Sequence, residues 1–466
     1  MEEFLANLIQ KSINLVEYID ARICSYENNV IRFVDGITKD VISSNEMGIG
    51  IRAFKNGSWG YLCSNNISKE SLQKMVDKVI KLTNTLESKS KIKFGLNEPE
   101  LIKDSWQAPE KKSIKNISIE DKMQYIKNIY KQSISYDERI YNSNILYFDS
   151  IKNEKILNSS GLHLDITTSY VRNVVSNYAF DGTKRQFALR SIGGIGGWEI
   201  IEQEKAQNLG NLASEQAVRL LKAKALKAGR YSAVLDQTLA GLFVHEAFGH
   251  CCEADAILNG ESVLENKLGE QVGAEMVNIV DDPTIDGLYG SYKYDSEGVL
   301  GKKKYLVKNG VLHSYLHGLE SASRMNQEHS TGNARAGGYS HLPIIRMSNT
   351  LIEPGDRSLE EMVEEIREGI FARRWKYGYV DPSKGEFQFK CAEAYKIKNG
   401  EIDKNQIYAD TALSGITLEV LHNITGIGKE IEFSPGTCGK EGQSAPVTDG
   451  SGYLLIPKGI VFGGLA

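Results

Sequence analysis

His245 and His250 stand five residues apart, with Glu246 directly after the first, in the otherwise apolar run Leu242-Phe243-Val244-His245-Glu246-Ala247-Phe248-Gly249-His250. Neutral imidazoles donate lone pairs to zinc, and a carboxylate beside them can take a proton from a water activated there. The familiar zinc helix reads H-E-x-x-H, with its histidines four apart. On an ideal helix, four steps leave two side chains roughly 40° apart and five steps roughly 140°. Two rings sharing one ion therefore require an extra residue in one turn, as in a π-bulge. Gly249 eases such a distortion. The spacing predicts a helix over 239–253 that is deformed between His245 and His250. The alternative is two helical histidines with unrelated roles.

The rest of the chain must supply at least one more ligand. With 466 residues there is room for two or three domains. A net charge of −5 offers no basic footprint for nucleic acid or anionic membrane. The runs Lys302-Lys303-Lys304 and Arg373-Arg374 read as solvated surface. No apolar run approaches the ~20 residues of a membrane helix. The acidic start Met1-Glu2-Glu3 lacks the positive opening of a signal peptide. Six scattered cysteines make no disulfide framework. The cytoplasm is the expected compartment, with thiols reduced and free to act as ligands.

The first half reads as an α+β domain over 1–228. Residues 3–18 have helical spacing. Short β pieces follow to Cys63, punctuated by Asp35-Gly36 and Asn56-Gly57. Ser68 and Ser118 are expected N-caps of helices reaching about Leu86 and Tyr136. Residues 88–115 read as a polar excursion, and strand candidates run from 145 to 192. The Gly-rich stretch 192–198 lacks the Lys-Ser/Thr of a P-loop and reads as a bend where backbones approach closely. A long helix is expected over 201–228, with Gly229 as its stop. The order helix, strands, helix occurs twice, without residue-level self-similarity.

The second half, 229–466, reads as a β-rich, largely antiparallel domain. Strands are expected over 231–235 and 277–283, and a hairpin turning at Asn309-Gly310. A helix is expected over 358–377, then strands over 387–390 and 394–397, and a short helix over 418–424. Cys438, flanked by Pro435-Gly436 and Gly439, is expected on a tight loop. Its thiolate is a strong zinc ligand, but spacing alone cannot bring it to His250. Cys252, Glu253 and Asp255 are nearer rivals. Glu253 can serve as a ligand or as the carboxylate that orients a histidine. Cys251 and Cys252 read as packing residues.

Taken together, His245-Glu246-x-x-x-His250-x-x-Glu253-x-Asp255 resembles the signature of the TldD/PmbA family of metallopeptidases, on its TldD side. Three further stretches agree in order. They are Ser330-Thr331-Gly332-Asn333-Ala334-Arg335 leading to Arg346-Met347-Ser348-Asn349-Thr350, Val380-Asp381-Pro382-Ser383 before Ala392-Glu393-Ala394-Tyr395, and Pro435-Gly436-x-Cys438-Gly439-Lys440. The resemblance implies a zinc ion held by His245, His250 and Cys438, with Glu246 as catalytic carboxylate. It implies hydrolysis of short or unfolded peptides inside an enclosed dimer cavity. The partner would be a second copy or a PmbA-type subunit lacking the metal motif. Tyr294, Asp295 and Arg335 are further polar candidates, each also readable as structural. A regulatory or chaperone-like peptide-binding protein, with the metal structural, is the rival. A closed set of four protein ligands would favour that rival. A metal amidase acting on a non-peptide bond is a third reading.

Overall fold

The computed structural model describes residues 1–464. Its first half is built on one seven-stranded sheet: β1 (Tyr18–Val34), β2 (Ile37–Lys55), β3 (Ser58–Ser64), β4 (Lys103–Gln107), β5 (Ile140–Asn158), β6 (His163–Phe180) and β7 (Arg185–Ile195). The order β3-β2-β1-β5-β6 is antiparallel throughout, and β7 and β4 share the far edge of β6, β4 running parallel to it. Asp35-Gly36 and Asn56-Gly57 both hold positive φ, the I′ geometry whose twist matches the strands it joins.

The strands are longer than the short pieces expected from their alternation. Pairing on both sides carries β1 and β5 through polar stretches such as Ser25–Asn29. The expected excursion after residue 88 contains β4 and a short 3-10 turn, Ile114–Asn116.

Helices Glu2–Ser12 and Lys69–Glu87 pack on the first meander, and Ile119–Ser135 and Leu209–Leu220 on the second. Ser68 and Ser118 cap as expected, accepting from Ser71 N and Asp121 N. The helix–strands–helix order is thus realised twice, as two three-stranded meanders joined where β1 pairs with β5.

Two helix expectations fail. The segment 201–228 is broken into Glu199–Glu202, Glu204–Gln207 and Leu209–Leu220, with Gln203 extended and no helix beyond Leu221. Burying Ile200, Ile201, Ala206 and Leu209 in one core makes the chain turn, and this overrides local propensity. The segment 358–377 is helical only over Leu359–Ile366. Arg367 adopts φ 55, and Gly369–Asp381 is a strand whose Ile370–Ala372 pair with Ala233–Leu235. The Gly-rich stretch behaves as expected. A Cβ on Gly194 would lie 2.5 Å from Gly287 O, and one on Gly197 2.0 Å from Lys112 O.

The second half contains two six-stranded sheets. In one, Gly229–Leu235 lies between Gly369–Asp381 and Leu454–Gly464. The other runs Ile279–Asp281, Asn349–Ile352, Gln443–Ser451, Glu432–Lys440 from its middle to one edge. Antiparallel pairings predominate, as expected of this half. The segment bearing His245 lies between these sheets, with Leu239, Phe243, Val244 and Phe248 in a core shared with Leu235, Met347, Ile352 and Phe387. Lys304, expected on the surface, is instead buried in an ion pair with the fully buried Asp281 at 3.2 Å. Among the described residues, no helix is long and apolar enough to cross a membrane.

Candidate metal centre

Asp236 caps the motif helix, its carboxylate accepting from Leu239 N at 2.9 Å. The helix is α over Gln237–Leu242, π over Phe243–Phe248 and 3-10 over Gly249–Cys252. The deformation required by the histidine spacing is therefore present. It sets the two rings edge to face, centroids 5.3 Å apart. Gly249 is needed for a different reason from the one expected. Its φ of −58 suits any residue, but an added Cβ would lie 2.1 Å from Met347 Sδ.

Cys438 is not on a loop. It lies within the strand Glu432–Lys440, opposite Ala445, two residues before the tight turn at Glu441-Gly442. Ligand atoms of His245, His250 and Cys438 all lie within 4.8 Å of one another. Cys438 Sγ is 3.4 Å from His250 Nε2. Bond lengths of ~2.3 Å to sulfur and ~2.0 Å to nitrogen set those atoms about 3.5 Å apart around a tetrahedral zinc, so the pair fits that ion. Burial pushes the Cys438 thiol up. Hydrogen bonds and charge from both imidazoles outweigh it and bring it down to about 5. Burial opposes charge on His250 as well, yet Glu253 and Cys438 hold it well above the usual range. The cluster favours a thiolate facing imidazoles, the donor set a soft divalent ion prefers.

Glu253 does not join the three donors. Its Oε2 is 2.9 Å from His250 Nδ1 and 3.1 Å from Lys440 Nζ. Lys440 also donates to Asp255 at 2.6 Å and to Ile345 O at 3.2 Å. Of the two roles open to Glu253, this geometry is that of an orienting carboxylate. Lys440 is part of the site that sequence reasoning left unassigned. The period-two alternation of a strand places it on the same face as Cys438. Cys251 and Cys252 are buried in the core, as expected. Glu246 is a third exposed, with Oε2 3.7 Å from His250 Nε2.

Asp449 was missed entirely. It is buried against Gly241, one turn before His245. Burial raises its carboxyl to about 6, His245 opposing and Glu246 reinforcing. Asp449 Oδ2 and His245 Nδ1 are both buried with no hydrogen-bond partner among the described residues. Nothing in the local sequence marks Asp449, which reaches the motif only because Gln443–Ser451 lies beside it.

Tyr294, Asp295 and Arg335 are not brought to the histidines. They line a cavity of about 800 Å3 between the first sheet and the second half, with Tyr26, Tyr170 and Thr437. Tyr294 donates to Asp104, Asp295 accepts from the amides of Glu297, Val299 and Ala334, and Arg335 donates to Met347 O. None of His245, Glu246, His250 and Cys438 lines this space. It runs beside the metal cluster, along the strand that carries Cys438. Arg172, on β6, anchors that strand by donating to Pro435 O and to Thr437 Oγ1.

Known proteins match over nearly the whole chain. Residues 228–464 match the PmbA/TldA metallopeptidase C-terminal domain, 19–83 its domain 1 and 112–221 its central domain. A protein named metalloprotease from Methanocaldococcus jannaschii is 39% identical over 446 residues, spanning 96% of this chain and 97% of the relative. One named zinc metalloprotease TldD homolog, from Saccharolobus solfataricus, is 37% identical over 254 residues, 54% of this chain and 56% of its own length. The crystal structure of TldE from Thermococcus kodakarensis shares the fold with a TM-score of 0.80 at 16% identity, covering 99% of this chain and 100% of that one.

Proposed function

The chain belongs to the TldD/PmbA family of metallopeptidases, and on that premise we propose that it is a zinc-dependent peptidase whose ion is held by His245, His250 and Cys438. The observation that carries the reading is the convergence of two histidines of one helix with the distant Cys438, beside Glu246, which holds none of the three donor positions. Three protein ligands, not four, are what a catalytic zinc has. Glu253 and Cys252, either of which would have closed the set, are engaged elsewhere. This favours catalysis over a purely structural metal.

Zinc bound there would supply Lewis acidity, polarising a scissile carbonyl and acidifying the attacking water. Glu246 takes the proton from that water and returns it to the leaving amine. Glu253 accepts from His250 Nδ1–H and thereby fixes the tautomer that aims Nε2 toward Cys438. His250 and Lys440 together keep Glu253 charged despite its burial.

The substrates are short or unfolded peptides. Strand Glu432–Lys440 ends its sheet, and beyond Pro435, whose carbonyl Arg172 holds, its outer edge offers backbone groups to an extended peptide without reading side chains. Assembly as a dimer, with a second copy or a PmbA-type subunit, would enclose the site and exclude folded proteins by size.

The test compares metal content and peptide cleavage of the wild type and Glu246→Gln. The expected result is retained zinc with hydrolysis lowered by ~10²-fold or more. Unchanged hydrolysis removes Glu246 from the mechanism.

A further inference from the structure

A second cluster of polar groups lies around a cavity of about 90 Å3 on the far side of the metal-bearing strand. Arg190 from β7, Gln216 from helix Leu209–Leu220 and Arg374 from strand Gly369–Asp381 all line it. Arg190 is more than nine-tenths buried and Gln216 is 1% exposed. Neither guanidinium has a carboxylate within ion-pair distance among the described residues. Glu393 is taken by Arg219 and Arg373, Glu432 by Lys205, and Asp410 by Lys376 and Lys390. Asp236 accepts the backbone amides of Leu239 and Arg374.

Donors are left over. Arg190 Nη1 donates to Leu189 O and to Gln216 Oε1, which turns the Gln216 amide nitrogen away. That nitrogen and Arg374 Nε are buried with no acceptor. Arg374 adopts φ 54, an unfavourable conformation for a non-glycine residue. Burial and the neighbouring Arg374, helped by Arg219 and Arg373 and opposed by Glu393, depress Arg190 to about 9. The buried Arg190 has a second guanidinium nearby and no carboxylate within ion-pair distance, which is costly.

We propose that this cavity is a binding site for one small tetrahedral oxyanion of the phosphate class, held by Arg190, Arg374 and the Gln216 amide. Guanidinium groups match such an anion through paired N–H donors. The volume is far below the ~300–1,000 Å3 of drug-sized ligand sites, so a nucleotide is excluded. Thr238 and Ser434 also line it, with Lys205, Lys376 and Glu432, the last paired with Lys205. Thr238 belongs to the helix leading to His245, and Ser434 to the strand leading to Cys438. Occupancy therefore ties together both elements that carry the metal donors. The site stands independently of the peptidase reading.

Thermal unfolding and titration calorimetry of the full chain with sodium phosphate, against sodium chloride at matched ionic strength, test this. Wild type is expected to show a saturable rise in Tm that chloride does not reproduce. Arg190→Gln and Arg374→Gln are each expected to weaken phosphate binding at least tenfold. Gln216→Glu supplies a carboxylate in place of the anion, so it should fold, raise Tm in phosphate-free buffer and lose the response. No phosphate effect beyond chloride in wild type would overturn the site. So would an undiminished response in the two arginine variants or, should those not fold, in Gln216→Glu.

Discussion

Cys438 Sγ lies 3.4 Å from His250 Nε2, although 188 residues separate them in the chain. The contact is made by two ordered elements, the 3-10 turn that follows the π segment and a paired strand, rather than by a loop. A site so held is preorganised for an ion rather than assembled by it. Removing zinc with a chelator is therefore expected to abolish hydrolysis while leaving far-UV circular dichroism unchanged. Tm should fall, because an ion at 100 times its Kd stabilises by about 2.7 kcal/mol. Cys438→Ser should lower zinc affinity by more than the ~10–100-fold that a supporting partner contributes. Full zinc occupancy of that variant at equal free metal would count against the ligand role.

Glu253→Gln tests the support of His250. The variant keeps the shape but loses the charge that holds the ring and answers Lys440. Zinc affinity is expected to fall ~10–100-fold, and excess metal should restore much of the hydrolysis. Loss of hydrolysis at undiminished zinc content would give Glu253 a different role.

How much of this could be read beforehand depends on whether a local rule governed it. Five steps from His245 to His250 demand a widened turn, and the chain supplies one. Ser68, Ser118 and Asn309-Gly310 are local signals and act as such. Residues 201–228 and 358–377 failed because burial of Ile201 and pairing of Phe371 override helical propensity. The glycines flanking Cys438 suggest a loop, but here they occupy a regular hairpin. Asp449, Lys440 and Arg190 acquire their surroundings only through long-range packing, and no spacing announces that.

Gly249→Ala tests how tightly the widened turn is packed. The added methyl would meet Met347 Sδ at 2.1 Å. Overpacking of this kind costs about 1–3 kcal/mol, and zinc retention should fall with it. Met347→Ala in the same chain is expected to recover part of the loss. Additive destabilisation of the pair, measured by denaturant unfolding, would place the strain elsewhere.

His317 contributes to the loss of stability in acid. It is buried, with Nδ1 3.2 Å from Ser321 Oγ, and burial lowers it to about 4. The unfolded chain takes up this proton near pH 6.5 and the folded chain only near 4. Stability is thus fully present above about pH 6.5 and is lost as pH falls towards 4, by up to about 3 kcal/mol. His317→Gln should flatten the dependence of Tm on pH across that window. An unchanged slope would assign acid sensitivity to other groups.

Arg52 of β2 reaches across to Glu297 at 2.7 Å, and Arg22 of β1 donates to the carbonyls of Gly338 and His341. Both guanidiniums are almost wholly withdrawn from water. Cutting the chain at Gly229 would leave Asp20 beside Arg52 and Glu154 beside Arg22, but would take away Glu297 and the two carbonyls. Complementation between separately expressed halves would then depend on re-forming those contacts across the cut.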